Sequence, residues 1–283
     1  MLSSLLGACT NLALKAINTP SYVSADIEVE KDLVYGSQEH QKLDLYFPPE
    51  NGNRNRQLVI FVYGGDWTSG SRENYFFVAD ALTSAGYTVA IPDYIKYPEG
   101  VFPAFVQDIA LAVDWLATNI GRFADVDTLI LIGHSAGAHI AALLVTDRRY
   151  LAAHELPEDT IDAFVGLAGP YAYLPQEEKY RDIFGRLEDY RGMQPLHFVS
   201  GSEPPMLLLH GSQDKTVLPV HTRKFAEKVN ALGGSAATRF YPQRKHAGMV
   251  LALSRISGRS NEIRSAIMEF LQQALPGDQP AGE

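Results

Sequence analysis

A single cysteine, Cys9, is too few for an internal disulfide and for any zinc site built on thiolates, so neither staples this 283-residue chain. Long hydrophobic runs are missing too. The strongest are short, such as LVIFVY at 58–63, and no window of about 18 apolar residues exists to span a bilayer. Positive charge is scarce: 24 Lys and Arg stand against 33 Asp and Glu, a net charge of −9. Such a surface offers no net attraction to phosphate backbones, which argues against a nucleic-acid partner. There is no H-E-x-x-H and no other His/Asp/Glu set at zinc-ligand spacing, so no metal is implied. Nor does any repeat with a 20–50-residue period occur. What remains is ordinary globular composition, 46% apolar and 20% charged with 13 Phe and 14 Tyr, which excludes disorder. The length suits one large α/β domain.

The opening MLSSLLGAC contains Leu6-Gly7-Ala8-Cys9, which is similar to the lipobox ahead of a lipidated cysteine. It lacks a positive n-region, and its apolar stretch is short for a signal peptide. Two readings stand: an amphipathic first turn of a cytoplasmic protein, or the remnant of a signal that would anchor a periplasmic protein through Cys9. Residues 1–27 are therefore set apart from a domain expected over 28–274, with a mobile tail at 275–283.

Apolar runs alternate with helix-length amphipathic segments, the pattern of parallel strands joined by crossover helices. The segments 29–35 and 42–47 read as an antiparallel pair. Those at 57–63, 87–94, 127–134, 163–169 and 205–211 are nearly continuous apolar strands, expected to be buried on both faces. Helical patterns lie at about 73–86, 103–120, 135–147, 219–233 and 259–274. Residues 170–204, rich in Tyr, Glu, Arg and Asp, break this rhythm and read as a short cap-like excursion above the sheet.

Gly133-His134-Ser135-Ala136-Gly137 follows the strand DTLILI and opens the helical run AHIAALLV. That is the strand-turn-helix context in which a serine hydroxyl is presented at a sheet edge; the alternative for Ser135 is a plain helix N-cap. A serine nucleophile needs a base, and the base needs a carboxylate to orient it. Asp214 sits in the turn after the strand PMLLLHG, and His246 in YPQRKHAG, read as a loop between a short strand at 239–242 and the last helix. The order Ser135, Asp214, His246 is that of α/β-hydrolases, not of the chymotrypsin or subtilisin types. An oxyanion needs N–H donors. Ala136 supplies one, Gly65 in Tyr63-Gly64-Gly65-Asp66-Trp67 a second, and Asp66 a third. The other seven histidines are less well placed to act as a base.

Together these segments resemble the α/β-hydrolase serine esterases, in the branch of hormone-sensitive-lipase-like carboxylesterases, kynurenine-formamidase-like enzymes and bacterial feruloyl-esterase-like proteins. The resemblance covers about 28–274 and rests on YGGDWTSG (63–70), DYIKYPEGVFPAFVQD (93–108), GHSAG, HGSQD and KHAG. Two departures stand out. Tyr63 replaces the usual histidine of the glycine-rich loop, and Ile95 the usual arginine after the Asp-Tyr pair. The resemblance implies an α/β-hydrolase fold and hydrolysis of a carboxylic ester through an acyl-enzyme, without a cofactor.

The expected walls of the substrate site are Trp67, Tyr94, Tyr171 and Tyr173, each of which also reads as an ordinary core or rim residue. A short excursion favours small soluble esters over long triglycerides. Two alternatives remain: an amide-cleaving hydrolase of aryl-formamidase type, and a binding protein that keeps the fold without turnover. The oligomeric state is left open.

Overall fold

Strands that are apolar on both faces need cover on both faces, and the chain provides it with helices on each side of one sheet. The computed structural model describes residues 18, 27–50, 54–186, 188–254 and 261–275. Cys9 and the tail from 276 lie outside the described residues. Among the described residues eight strands form the sheet: β1 (Glu28–Val34), β2 (Lys42–Phe47), β3 (Gln57–Val62), β4 (Thr88–Pro92), β5 (Thr128–His134), β6 (Ala163–Leu167), β7 (Met206–Gly211) and β8 (Ala236–Tyr241). Their spatial order is β1-β2-β4-β3-β5-β6-β7-β8. The β1–β2 and β2–β4 pairs are antiparallel and every other pair is parallel, which is the α/β-hydrolase arrangement expected from the sequence.

This order places the site. The chain leaves β3 toward β4 on one side and returns to β5 on the other, so the connections diverge at the β3–β5 boundary. In open α/β sheets the crevice beyond the strand C-termini at such a switch point is where ligands bind. The loop Gly64–Gly65 leaves β3 there, and Ser135 leaves β5 there.

The helices are α1 (Phe76–Thr83), α2 (Ala104–Asn119), α3 (Ala136–Thr146), α4 (Arg149–Ala152), α5 (Glu178–Ile183), α6 (Pro195–Phe198), α7 (Val220–Ala231), α8 (His246–Leu251) and α9 (Asn261–Ala274). Helix α2 shows the usual logic: Phe105, Val106, Ile109, Ala112, Val113 and Leu116 recur at helical spacing and are all buried. Asn18 is 3% exposed and packs onto α1, its side chain accepting from Phe77 N at 3.0 Å and donating to Glu73 O at 3.1 Å.

Some boundaries differ from those expected. The pattern at 73–86 divides into a 3₁₀ turn, Arg72–Tyr75, and then α1, because Arg72 is drawn inward to buried carboxylates. Strand β8 begins three residues ahead of 239; its residues 237–239 are exposed, so no apolar run marks them. His246 is not in a loop but is the first residue of α8, a helix too short to show a period in sequence. The excursion carries α5, a 3₁₀ turn at Tyr190–Met193 and α6.

Candidate active site

Ser135 sits between β5 and α3 with φ 54° and ψ −121°, a backbone strain typical of functional turns. The turn can be this tight because Gly137 lacks a Cβ, which would stand 2.0 Å from Val62 O. Ser135 N donates to Leu167 O at 2.9 Å, tying the turn to β6.

His246 Nε2 lies 2.7 Å from Ser135 Oγ, and His246 Nδ1 lies 2.7 Å from Asp214 Oδ2. The three residues expected to act together are thus brought into one hydrogen-bonded chain from the ends of β5, β7 and β8. Asp214 Oδ1 accepts from the Thr216 and Val217 amides at 2.9 and 3.0 Å. Burial alone would raise the Asp214 carboxyl. The hydrogen bonds from His210 and His246, the charge of His246 and the Val217 amide outweigh it and hold the group well below the usual carboxylate range. Beneath His246 lies His134, with ring centroids 5.1 Å apart. Burial first, and the neighbouring His246 charge second, lower His134 to about 3, so it is neutral at ordinary pH.

On the other side of Ser135 the Gly64 backbone runs against His134 and Ser135. Gly65 has φ +145°, and a Cβ there would stand 1.9 Å from Ser69 O, so this position requires glycine. Asp66 and Trp67 continue at φ 59° and 55°. The Gly65 and Asp66 amides make no hydrogen bond to another described residue. Ala136 is the first residue of α3, so its N–H has no partner within the helix.

Of the four aromatic walls expected, two are corrected. Tyr94 is fully buried behind the glycine loop, stacked on Tyr63 at 4.9 Å, and donates its hydroxyl to Tyr63 O at 3.0 Å. Tyr171 is fully buried against Phe225 at 4.6 Å. The Tyr94 hydroxyl is satisfied, whereas the Tyr171 hydroxyl has no partner among the described residues; an amphipathic ring fits the core as well as a pocket, which is why sequence context misplaced both. Trp67, 4% exposed, is the hub of an aromatic cluster with His139, Tyr173, Tyr180 and Phe184 at 4.9–6.3 Å. Tyr173, half-buried, is its outer member. His139 Nε2 donates to Met193 O at 2.6 Å, joining the excursion to α3. Among the described residues Trp67 Nε1 and His139 Nδ1 have no partner.

Both departures from the family pattern lie beside one buried carboxylate, Asp93. Tyr63 donates its hydroxyl to Asp93, its phenol kept protonated by burial and by that carboxylate. Two residues before Ile95, Asp93 pairs with Arg72, which is buried and also paired with Asp44 at 2.9 Å and with Asp32. Burial opposes its charge, and Asp44 and Asp93 outweigh burial. Sequence reasoning missed Arg72, although Asp44 in the middle of the buried strand KLDLYF was a signal: a buried carboxylate needs a cation. It also missed Lys179, which pairs with Asp66 across the site mouth. No cluster of three or more His, Cys, Asp or Glu fit to hold a metal occurs among the described residues, and no described helix is long and apolar enough to cross a membrane.

The BD-FAE family model matches residues 43–229. An isoprenylcysteine alpha-carbonyl methylesterase of Arabidopsis thaliana is 28% identical over 250 residues, 79% of this chain and 58% of that protein. Esterase LipC of Mycobacterium tuberculosis is 30% identical over 225 residues, 72% of this chain and 55% of that protein. The chain thus spans little more than half the length of these curated relatives. Among solved structures, esterase B from Lactobacillus rhamnosis inhibited by a C4-C4 tributyrin phosphonate superposes with a TM-score of 0.77 at 20% identity, covering 97% of this chain and 95% of that one. Esterase 2 from Thermogutta terrifontis has a TM-score of 0.71 at 23% identity, covering 89% and 96%. At these identities the likeness is one of fold.

Proposed function

Because the chain belongs to the BD-FAE family, we propose that it is a serine hydrolase of carboxylic esters in which Ser135 is the nucleophile, His246 the general base and acid, and Asp214 the group that orients His246. The observation that carries this reading is the pair of 2.7 Å hydrogen bonds linking Ser135 Oγ, His246 and Asp214 at the sheet's switch point. Ser135 Oγ attacks the ester carbonyl carbon while His246 Nε2 takes its proton, and the negative oxygen accepts the amides of Ala136, Gly65 and Asp66. The tetrahedral species collapses with His246 returning the proton to the departing alkoxide, leaving an acyl-serine and a free alcohol. Water then attacks the acyl-serine, its proton passing through His246, and the acid is released. No step calls on a cofactor.

The substrates are small esters. In support, Trp67, Tyr180 and Phe184 pack closely beside the site, and the 170–204 excursion adds only short helices. A structural neighbour points the same way, being inhibited by a phosphonate with four-carbon chains. The test is hydrolysis of p-nitrophenyl esters from acetate to palmitate beside Ser135→Ala. Fastest turnover of short acyl chains, abolished in the variant, is expected. Faster palmitate cleavage would overturn the size preference. Turnover of aryl formamides but of no ester would favour the formamidase alternative.

A further inference from the structure

His210 is fully buried at the end of β7, four residues before Asp214, and the hydrolytic steps above leave it without a role. Its three polar contacts fix its protonation pattern. Nε2 stands 2.9 Å from Val217 O and 3.3 Å from Asp214 Oδ2, two groups that can only accept. That nitrogen therefore carries the hydrogen. Nδ1 lies 2.8 Å from Thr222 Oγ1, so in the neutral imidazole the threonine hydroxyl donates to it.

We infer that His210, locked in its Nε2–H tautomer by Thr222, is a positioning residue for Asp214. This rests on the assignment of Asp214 as the orienting carboxylate. His210 acts in two ways. Its N–H holds the carbonyl of Val217, whose own amide, with that of Thr216, binds Asp214 Oδ1. The same N–H edge turns its positive end to Asp214 Oδ2, the oxygen that accepts from His246. Both carboxylate oxygens are thereby fixed, and with them the plane in which the His246 ring must lie. The lowered acidity range of Asp214, to which the His210 contact contributes, is consistent with this arrangement. Without the Thr222 hydroxyl, Nδ1 loses its one hydrogen-bond donor, the ring is no longer braced from that side, and the turn 214–217 that its Nε2–H holds would loosen.

Thr222→Val keeps the side-chain shape and removes the hydroxyl. The expected result is a kcat on p-nitrophenyl acetate lower by about five- to tenfold with KM within about twofold, the size of one lost hydrogen bond expressed in the transition state. The far-downfield proton resonance of His246 Nδ1–H, read on the resting protein, should shift or broaden, and Thr222→Ser should restore both readings. Native kcat and an unmoved resonance in Thr222→Val would overturn the inference. Nitrogen-15 spectra of the imidazoles in the unmodified protein provide a second check that needs no variant: His210 as the Nε2–H tautomer is expected, and the Nδ1–H tautomer contradicts the assignment. Both spectra are taken without turnover, so a lack of esterase activity would count against the proposed function and leave this test standing.

Discussion

The two sides of Ser135 are built on different physics. Toward β7 and β8 the groups are polar and most are joined by directional hydrogen bonds: His246 to Asp214 and Ser135, Asp214 to two amides, His210 to Thr222 and Val217, with His134 Nδ1 and the Tyr241 hydroxyl unpartnered among the described residues. Toward the excursion the groups are rings, with Trp67 at the centre of His139, Tyr173, Tyr180 and Phe184, and with Trp67 Nε1 and His139 Nδ1 unpartnered among the described residues. Hydrogen bonds fix angles as well as distances, whereas edge-on ring contacts tolerate sliding. The polar side suits the part of the reaction that is the same for every ester. The aromatic side suits the part that differs between acyl groups.

If that division holds, damage to the polar side should dominate. Asp214→Asn leaves an amide facing His246 and favours the wrong tautomer; its kcat on a short ester is expected to fall about 10⁴-fold, as found when a triad aspartate is so replaced. Gly65→Ala comes next. A methyl at φ +145° against Ser69 O must move the loop and its amides, and about a 10²- to 10³-fold loss in kcat is expected, the range for one lost oxyanion donor. Tyr173→Ala, on the aromatic side, should leave acetate turnover nearly intact and change the ratio of kcat/KM between acetate and octanoate by about tenfold, the scale of a pocket-size change. A loss of acetate turnover as large as that of Gly65→Ala would break the division.

The smallest effect concerns acid stability. Burial lowers His139 to about 4, the Met193 carbonyl pulling it slightly back up, while in the unfolded chain it titrates near 6.5. Between these values the unfolded state binds more protons, so this contribution is fully present above about pH 6.5 and declines as the pH falls toward 4. His139→Gln should flatten the fall in urea midpoint between pH 7 and pH 4.5, with the residual slope owed in part to the similarly buried His134.

Much of this was legible in sequence, for identifiable reasons. The central strands declare themselves because a strand covered on both faces is apolar throughout, as in QLVIFV and TLILIG. Ser135, Asp214 and His246, which the fold brings into one hydrogen-bonded chain, can be singled out in sequence because each follows a strand end and their chain order is that of one fold. β8 was clipped because its exposed middle residues leave no apolar run to read. Arg72 and His210 escaped notice because their roles exist only through partners brought close by the fold: Asp44 and Asp93 for one, Thr222 for the other. Tyr94 and Tyr171 were misplaced because a phenol reads alike in sequence whether its ring lines a pocket or is fully buried, as Tyr94 is against the Tyr63 carbonyl and Tyr171 against Phe225.

The most direct test of the account is covalent labelling with a short-chain alkyl phosphonate ester followed by peptide mass mapping. One adduct per chain on the peptide bearing Ser135, formed in step with the loss of ester hydrolysis and absent from Ser135→Ala, is the result expected. Ester hydrolysis that persists in the fully labelled protein or in Ser135→Ala, or an adduct on a different residue, would contradict it.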